Sequence, residues 1–389
     1  MSLTTNFPPW TPLAVSGTVV VVLVTASFLL PHPDWDKTIR VAFVGSSIQY
    51  YNDCPRLMEV LSDGHIIQNS CFRPAASTTR ILQKGNGMYE RYQNPNAIID
   101  EDQGIYDFGA CTVKQLLFGK DDEIEQFNYG DDDGDAGDDS NSGNELLIYD
   151  DGLNPCLQSE TYRQYIQEQF DAQPTPQWDF VMMNDQTKGV PDSDFLSVQF
   201  ETLEAYYIPW LVEIESIPVF IVSQGYFRNC NEDMGDPYVD IPTFSKLLIG
   251  GYMQYAELLA ENLPSEQRPR LAPVAIAFLT VWEENRDFWP LLFADDCKHT
   301  SLHGTYFQGL IWYFTLFRRM PHKSTALRDD MSFFFERRRW PPQTDDWPAQ
   351  LEVSREEAEY LYFVAERVCV HHHIPQALGE DSDYGTEWW

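Results

Sequence analysis

An α/β fold on an open, mostly parallel five-stranded sheet is predicted by three observations on this sequence. Five short apolar runs are near-continuous rather than alternating, as strands covered on both faces require. Longer stretches with helical spacing separate them, and this β-helix-β rhythm implies parallel strands joined by right-handed crossovers. With 389 residues, 43% hydrophobic and 14% aromatic, the chain can bury a core of that size.

Residues 1–37 precede the sheet and hold no charged side chain before Asp34. Within them LAVSGTVVVVLVTASFLL (13–30) is a run of 18 apolar or small residues, close to the ~20 that span a ~30 Å hydrocarbon layer as a helix. A signal anchor and a cleaved signal peptide both fit, the latter through the small residues of VTAS. Either puts the remainder in a secretory compartment, anchored to the membrane with its folded domain lumenal or extracellular, or else secreted.

The folded domain is expected over 38–376. Its strands are TIRVAFV (38–44), IIQNSCF (66–72), WDFVMM (178–183), IPVFIVS (217–223) and LAPVAIAFL (271–279). Helices are expected at 55–63, 157–170, 194–215 and 243–262, at 305–318 after the last strand, and at VSREEAEYLYFVAERVCV (353–370). In such a sheet, sites form at the carboxyl ends of strands, where Ser47 and Asn184 fall.

Two irregular stretches interrupt this rhythm. An insertion over roughly 84–156 contains DDDGDAGDDSNSG, too polar to order itself, so disorder is expected at about 121–145. As a calcium loop starting at Asp131 it fails, with Ala136 where glycine is needed and Ser142 where glutamate is needed. The second stretch, 319–351, is rich in Arg, Pro and Trp. His371, His372 and His373 lack partner ligands and read as an exposed helix end, and residues 377–389 read as an acidic tail. No metal or cofactor is expected.

The formal net charge of -34 argues against nucleic acid and anionic lipid surfaces as partners, since phosphates need Lys and Arg to neutralise them. Much of the excess is local, because residues 121–139 carry ten Asp or Glu and no Lys or Arg. Seven cysteines, Cys54, Cys71, Cys111, Cys156, Cys230, Cys297 and Cys369, show no metal-ligand spacing. Their odd number leaves at least one outside intrachain disulfides.

The chemistry is carried by the two ends of the domain. FADDCKHTSLHGTY (293–306) sets Asp296 three residues ahead of His299, just before an apolar helix. A hydroxyl becomes a good nucleophile only when a base removes its proton, and a carboxylate must hold the imidazole base in one tautomer. An Asp three residues before a His can fold back onto the ring nitrogen that faces away from the nucleophile. TIRVAFVGSSIQYYNDCP supplies Ser46 and Ser47 after a β-branched run and a glycine. His303 and Asp295 are alternative members by proximity, with poorer spacing.

These residues resemble a known family. RVAFVGSSIQYYNDCP is similar to the first block of the SGNH (GDSL-type) hydrolases, in a branch where the block reads like GNS followed by a tyrosine-rich turn, and FADDCKHTSLHGTYFQGLIWYFTLF is similar to that branch's last block. The resemblance spans about residues 38–318. It implies a flavodoxin-like three-layer α/β/α sandwich, with Ser47 as nucleophile, His299 as general base and Asp296 as its orienting acid. The second block departs: where the family places a glycine serving the oxyanion hole, this chain offers Ala76 and Ser77. The third block reads MMNDQTKG, so the amide donor is Asn184 ahead of Gln186, with the Ser47 N–H as a further donor.

The function implied is a serine ester hydrolase acting on acyl, acetyl-like groups of a carbohydrate or related small ester. The alternatives are a catalytically weakened glycan-binding protein and an acyltransferase using the same triad.

Overall fold

The central sheet of the computed structural model has five parallel strands: β1 (Ile39–Gly45), β2 (Ile66–Phe72), β3 (Phe180–Met183), β4 (Ile217–Ile221) and β5 (Arg270–Ala272). The structure describes residues 37–87, 98–100, 105–106, 109–121, 154–172, 177–226, 240–327, 352–379 and 384–389. The strand order is β2-β1-β3-β4-β5. That is the flavodoxin-like doubly wound order, whose ligand crevice lies where the order reverses, between β1 and β3. Val41, Ala42, Phe43 and Val44 of β1 are all fully buried, which is why the run is apolar on both faces. Registers pair Gly45 with Phe72 of β2 and Val44 with Met183 of β3, so the carboxyl ends of these strands lie level.

Right-handed crossovers then assign the layers. The step from β1 to β2 runs through α1 (Ser47–Tyr50) and α2 (Cys54–Leu61) on one face. Steps in the opposite direction put α3 (Thr78–Lys84), α6 (Ser193–Thr202) and α7 (Ile241–Asn262) on the other, where α6 packs against both α3 and α7. After β5, α8 (Val274–Glu284) leads to α9 (Leu302–Phe317), which packs against α2 and α10 (Arg355–Cys369). The expected helix over 194–215 continues beyond α6 through a π turn at Leu203–Tyr207 into Ile208–Glu213. Pro209, which has no N–H to give to an i−4 carbonyl, accounts for the wider turn.

Two expectations are corrected, and two segments show order beyond them. LAPVAIAFL is strand only at its start: Pro273 cannot donate into a ladder and the rest is α8, buried from Val274 to Val281. Continuous apolar runs do not distinguish a buried strand from a helix buried all round. The segment over 157–170 divides at Ser159, which caps α5 (Glu160–Asp171) through its side chain, after a separate turn at Pro155–Gln158. The insertion is ordered at both ends, where α4 (Val113–Phe118) follows a disulfide between Cys111 and Cys156, and a ribbon pairs Ile98–Asp100 with Ile105–Tyr106. Described residues of the C-terminal tail pack inward: Leu378, Tyr384, Trp388 and Trp389 are buried and the Ala377 N–H donates to Glu283. Its aromatic side chains outweigh its charge.

Residues 13–30, the acidic run from Asp131 and residues 328–351 lie outside the described residues. Among the described residues, no helix is long and apolar enough to cross a membrane. Past the end of α10, His371 and His372 are exposed, and the His372 ring lies beside Trp389.

Candidate active site

At the end of β1 the chain turns directly into α1, with Ser46 at the N-cap. Gly45 is demanded by this turn: a Cβ there would lie 2.1 Å from Asn184 Oδ1 and 2.4 Å from Gln49 Nε2. Ser46 is buried, its N–H donating to Asn184 Oδ1 at 3.0 Å and its Oγ accepting from Asn184 Nδ2 at 2.9 Å. Gln49 lies beneath, its amide donating to Val44 O at 2.8 Å and to Asn184 Oδ1 at 3.0 Å. Ser47 stands outside that network and is partly exposed, which makes it the accessible hydroxyl of the pair.

Asp296 and His299 sit on a loop closed by an antiparallel bridge between Phe293 and Thr300. The Ala294 N–H donates to His299 O at 2.9 Å, and Cys297 completes the turn in the left-handed region at φ 60°. Asp296 Oδ1 accepts from the N–H groups of Lys298 and His299, both at 3.0 Å, the local turn that a short carboxylate side chain favours. Its Oδ2 then meets His299 Nδ1. Burial alone raises the Asp296 carboxyl, but the hydrogen bond and charge of His299, with the two backbone donors, outweigh it and hold the group at about 2. An ionised Asp296 accepts a hydrogen bond from Nδ1–H and leaves Nε2 as the nitrogen able to take a proton. Past the loop, Ser301 caps α9 by accepting from the Gly304 N–H at 3.2 Å. A Cβ on Gly304 would lie 2.1 Å from Leu292 O, so the glycine lets the helix start close against the loop.

The serine turn and this loop are joined directly. Tyr51 donates its N–H to Ser47 O and so stands one turn beyond the serine. Its ring stacks on His299, with centroids 4.1 Å apart and planes 6° apart, and its hydroxyl lies 3.4 Å from Asp296 Oδ2. Asn52 Nδ2 donates to Thr300 O and to Thr305 Oγ1, each at 2.9 Å, which clamps the turn to the foot of α9. From the end of β4, Gln224 Nε2 donates to Lys298 O at 3.3 Å. Thus residues past β1 and β4 hold the loop at the carboxyl edge of the sheet.

The oxyanion candidates separate. As the first residue of a helix, Ser47 has an N–H with no intrahelical acceptor. Ala76 and Ser77 follow the end of β2, the strand beside β1, and Ser77 is the N-cap of α3. Asn184 does not present its amide as the sequence reading expects: Nδ2 donates to Ser46 Oγ and, at 3.0 Å, to Asp185 O, while Oδ1 accepts from Ser46 and Gln49. A buried amide fills its hydrogen bonds from the nearest groups, and here those belong to the serine turn. Gln186 has an exposed side chain, and its N–H donates to Asp185 Oδ1 at 2.7 Å.

Asp185, which the sequence reading passes over, ties the second and third blocks together. It is fully buried, and its Oδ2 accepts from Thr78 Oγ1 at 2.8 Å, from Tyr255 OH at 2.9 Å and from the Thr78 N–H at 3.4 Å. Burial raises its carboxyl above the ordinary range, against the lowering pull of these donors. Tyr51 and Asn52 are missed as well. The only sequence signal for them is the YYND run, which reads as a turn and not as a clamp. Of the alternative triad members, His303 is buried with Nε2 3.2 Å from Glu357 of α10, and Asp295 is exposed with its carbonyl near the Cys297 thiol.

No family model and no curated protein matches the chain. Two solved structures are similar to it. One is a DUF4886 family protein from Bacteroides uniformis, 12% identical over 87% of this chain and 98% of that one, with a TM-score of 0.50. The other is a provisionally assigned SGNH hydrolase from Slackia heliotrinireducens, 15% identical over 72% of this chain and all of that one, with a TM-score of 0.38. At these identities a likeness speaks to fold alone, and with the strand order it gives an α/β sandwich on an all-parallel five-stranded sheet.

Proposed function

We propose that this chain is a serine ester hydrolase in which Ser47 is the nucleophile, His299 the general base and Asp296 the carboxylate that orients the base. The observation that carries the reading is the stacking of Tyr51, one turn past Ser47, on an imidazole whose Nδ1 is held by Asp296. Ser47 Oγ attacks the acyl carbonyl while His299 Nε2 takes its proton, then returns that proton to the departing alcohol. Water, deprotonated by the same nitrogen, releases the acid and restores Ser47. The oxyanion rests on backbone donors, the N–H of Ser47 and one from Ala76 or Ser77, each worth ~3 kcal/mol of barrier when preorganised. Acetyl-like groups on a carbohydrate or related small ester are the substrate class this reading favours, and a sugar hydroxyl in place of water would make the same triad an acyltransferase. The Cys111–Cys156 disulfide supports an oxidising compartment, in keeping with an apolar N-terminal segment that directs the chain to secretion.

One observation favours the second reading, a weakened enzyme that binds glycans. The Asn184 amide is engaged with Ser46 and Asp185, so the hole lacks the side-chain donor of its resembling family. A serine-reactive fluorophosphonate separates the two. The wild type and Ser46→Ala should be labelled at Ser47, and Ser47→Ala should not. An unlabelled, folded wild type would remove the hydrolase reading and leave the binding one.

A further inference from the structure

We infer that Tyr51 is a positioning residue for His299, a proposal that rests on the serine hydrolase reading of the same site. An imidazole base must be fixed in two respects: which nitrogen carries the proton, and how the ring is rotated. Asp296 settles the first by bonding Nδ1 in the ring plane. A hydrogen bond in that plane leaves the ring able to tilt about the bond. Tyr51 supplies the orthogonal constraint, lying against the ring face at 4.1 Å and within 6° of parallel.

The tyrosine is itself held. It is 6% exposed, and the two residues after it, Asn52 and Asp53, are non-glycine residues at φ 51° and 54°. Consecutive left-handed residues of this kind persist where the surroundings enforce them. Here the bonds from Asn52 to Thr300 and Thr305 do so, binding the strained turn to the base-bearing loop. Because Tyr51 also donates its N–H to Ser47 O, one short segment sets the serine and the plane of the base relative to each other. The electron-rich face of the tyrosine further suits the imidazolium that forms as His299 takes the serine proton. The hydroxyl, 3.4 Å from Asp296, is the minor part of the arrangement.

The test compares full-length wild type with Tyr51→Phe, which keeps the ring, and Tyr51→Leu, which removes the stack. On 4-nitrophenyl acetate, Tyr51→Leu should lose about tenfold in kcat with KM within about twofold, as expected when a base is misplaced and not when binding is lost. Tyr51→Phe should restore the rate to within about twofold of wild type. Proton NMR gives a readout that does not need turnover: the downfield resonance of the His299 Nδ1–H bonded to Asp296 should be present in wild type and Tyr51→Phe and broadened away in Tyr51→Leu. A Tyr51→Leu protein that keeps both kcat and the resonance overturns the proposal, as does a Tyr51→Phe protein as impaired as Tyr51→Leu. If wild type neither turns over nor takes a fluorophosphonate but the resonance still depends on the Tyr51 ring, the hydrolase reading fails and the positioning stands.

Discussion

At the scale of single residues, adjacent members of the MMND run divide the labour. Asn184 joins the serine turn to the end of β3, so Asn184→Ala leaves the Ser46 N–H without its buried acceptor and takes one of its acceptors from the Gln49 amide, which keeps Val44 O. A buried donor left unpaired costs about 1–3 kcal/mol. The expected outcome is that melting temperature and kcat fall together, read by calorimetry beside kinetics. A fall in kcat at unchanged stability would return Asn184 to the oxyanion hole. Asp185 makes a prediction in pH. Its folded carboxyl is raised by burial, so the folded state binds the proton more tightly than the unfolded chain, whose ordinary value is about 3.9. Stability attributable to this group is therefore fully present below that value and declines as pH rises toward the folded one. In Asp185→Asn that decline should be missing, and the difference in melting temperature between wild type and variant, plotted against pH, isolates it from the other carboxylates. Asp296 acts oppositely: held at about 2, its contribution is present above the ordinary range and lost as pH falls toward 2.

At the scale of elements, legibility followed the chemistry of short segments. The Asp296–His299 contact in DDCKHTSLHG could be read in advance because its geometry is local, a carboxylate three residues from the imidazole, whereas the Ser301 cap and the close start of α9 at Gly304 were not read. The β1 strand and the GSS turn were readable for the same reason. LAPVAIAFL was not, since full burial erases the periodicity that separates strand from helix, and only Pro273 hinted at the boundary. The Asn184 network was illegible for another reason. Its partners, Ser46 and Gln49, are more than 130 positions away in sequence, and only the parallel pairing of β1 with β3 brings them together. Tyr51 and Asn52 likewise act on residues more than 240 positions later.

At the scale of the whole molecule, the strand order decides where chemistry can occur. Reversal at β1 opens the crevice between β1 and β3, and the serine turn, the Asn184–Asp185 pair and the Asp296–His299 loop all meet at that edge. The acidic insertion enters this body between Asp121, which is buried and accepts from Thr112 at 2.7 Å, and Asn154, which caps the turn carrying Cys156. The bond from Cys111 to Cys156, 45 residues apart, closes the chain at the base of that insertion. Such a cross-link contributes about 4 kcal/mol, so reductant should lower the melting temperature measurably. It also means that the insertion's peptide bonds are not what keeps the two parts of the body in one piece. A protease cut anywhere between Asp121 and Asn154 should run as one band on a denaturing gel without reductant and as two with it, and the cut protein should keep its fluorophosphonate reactivity.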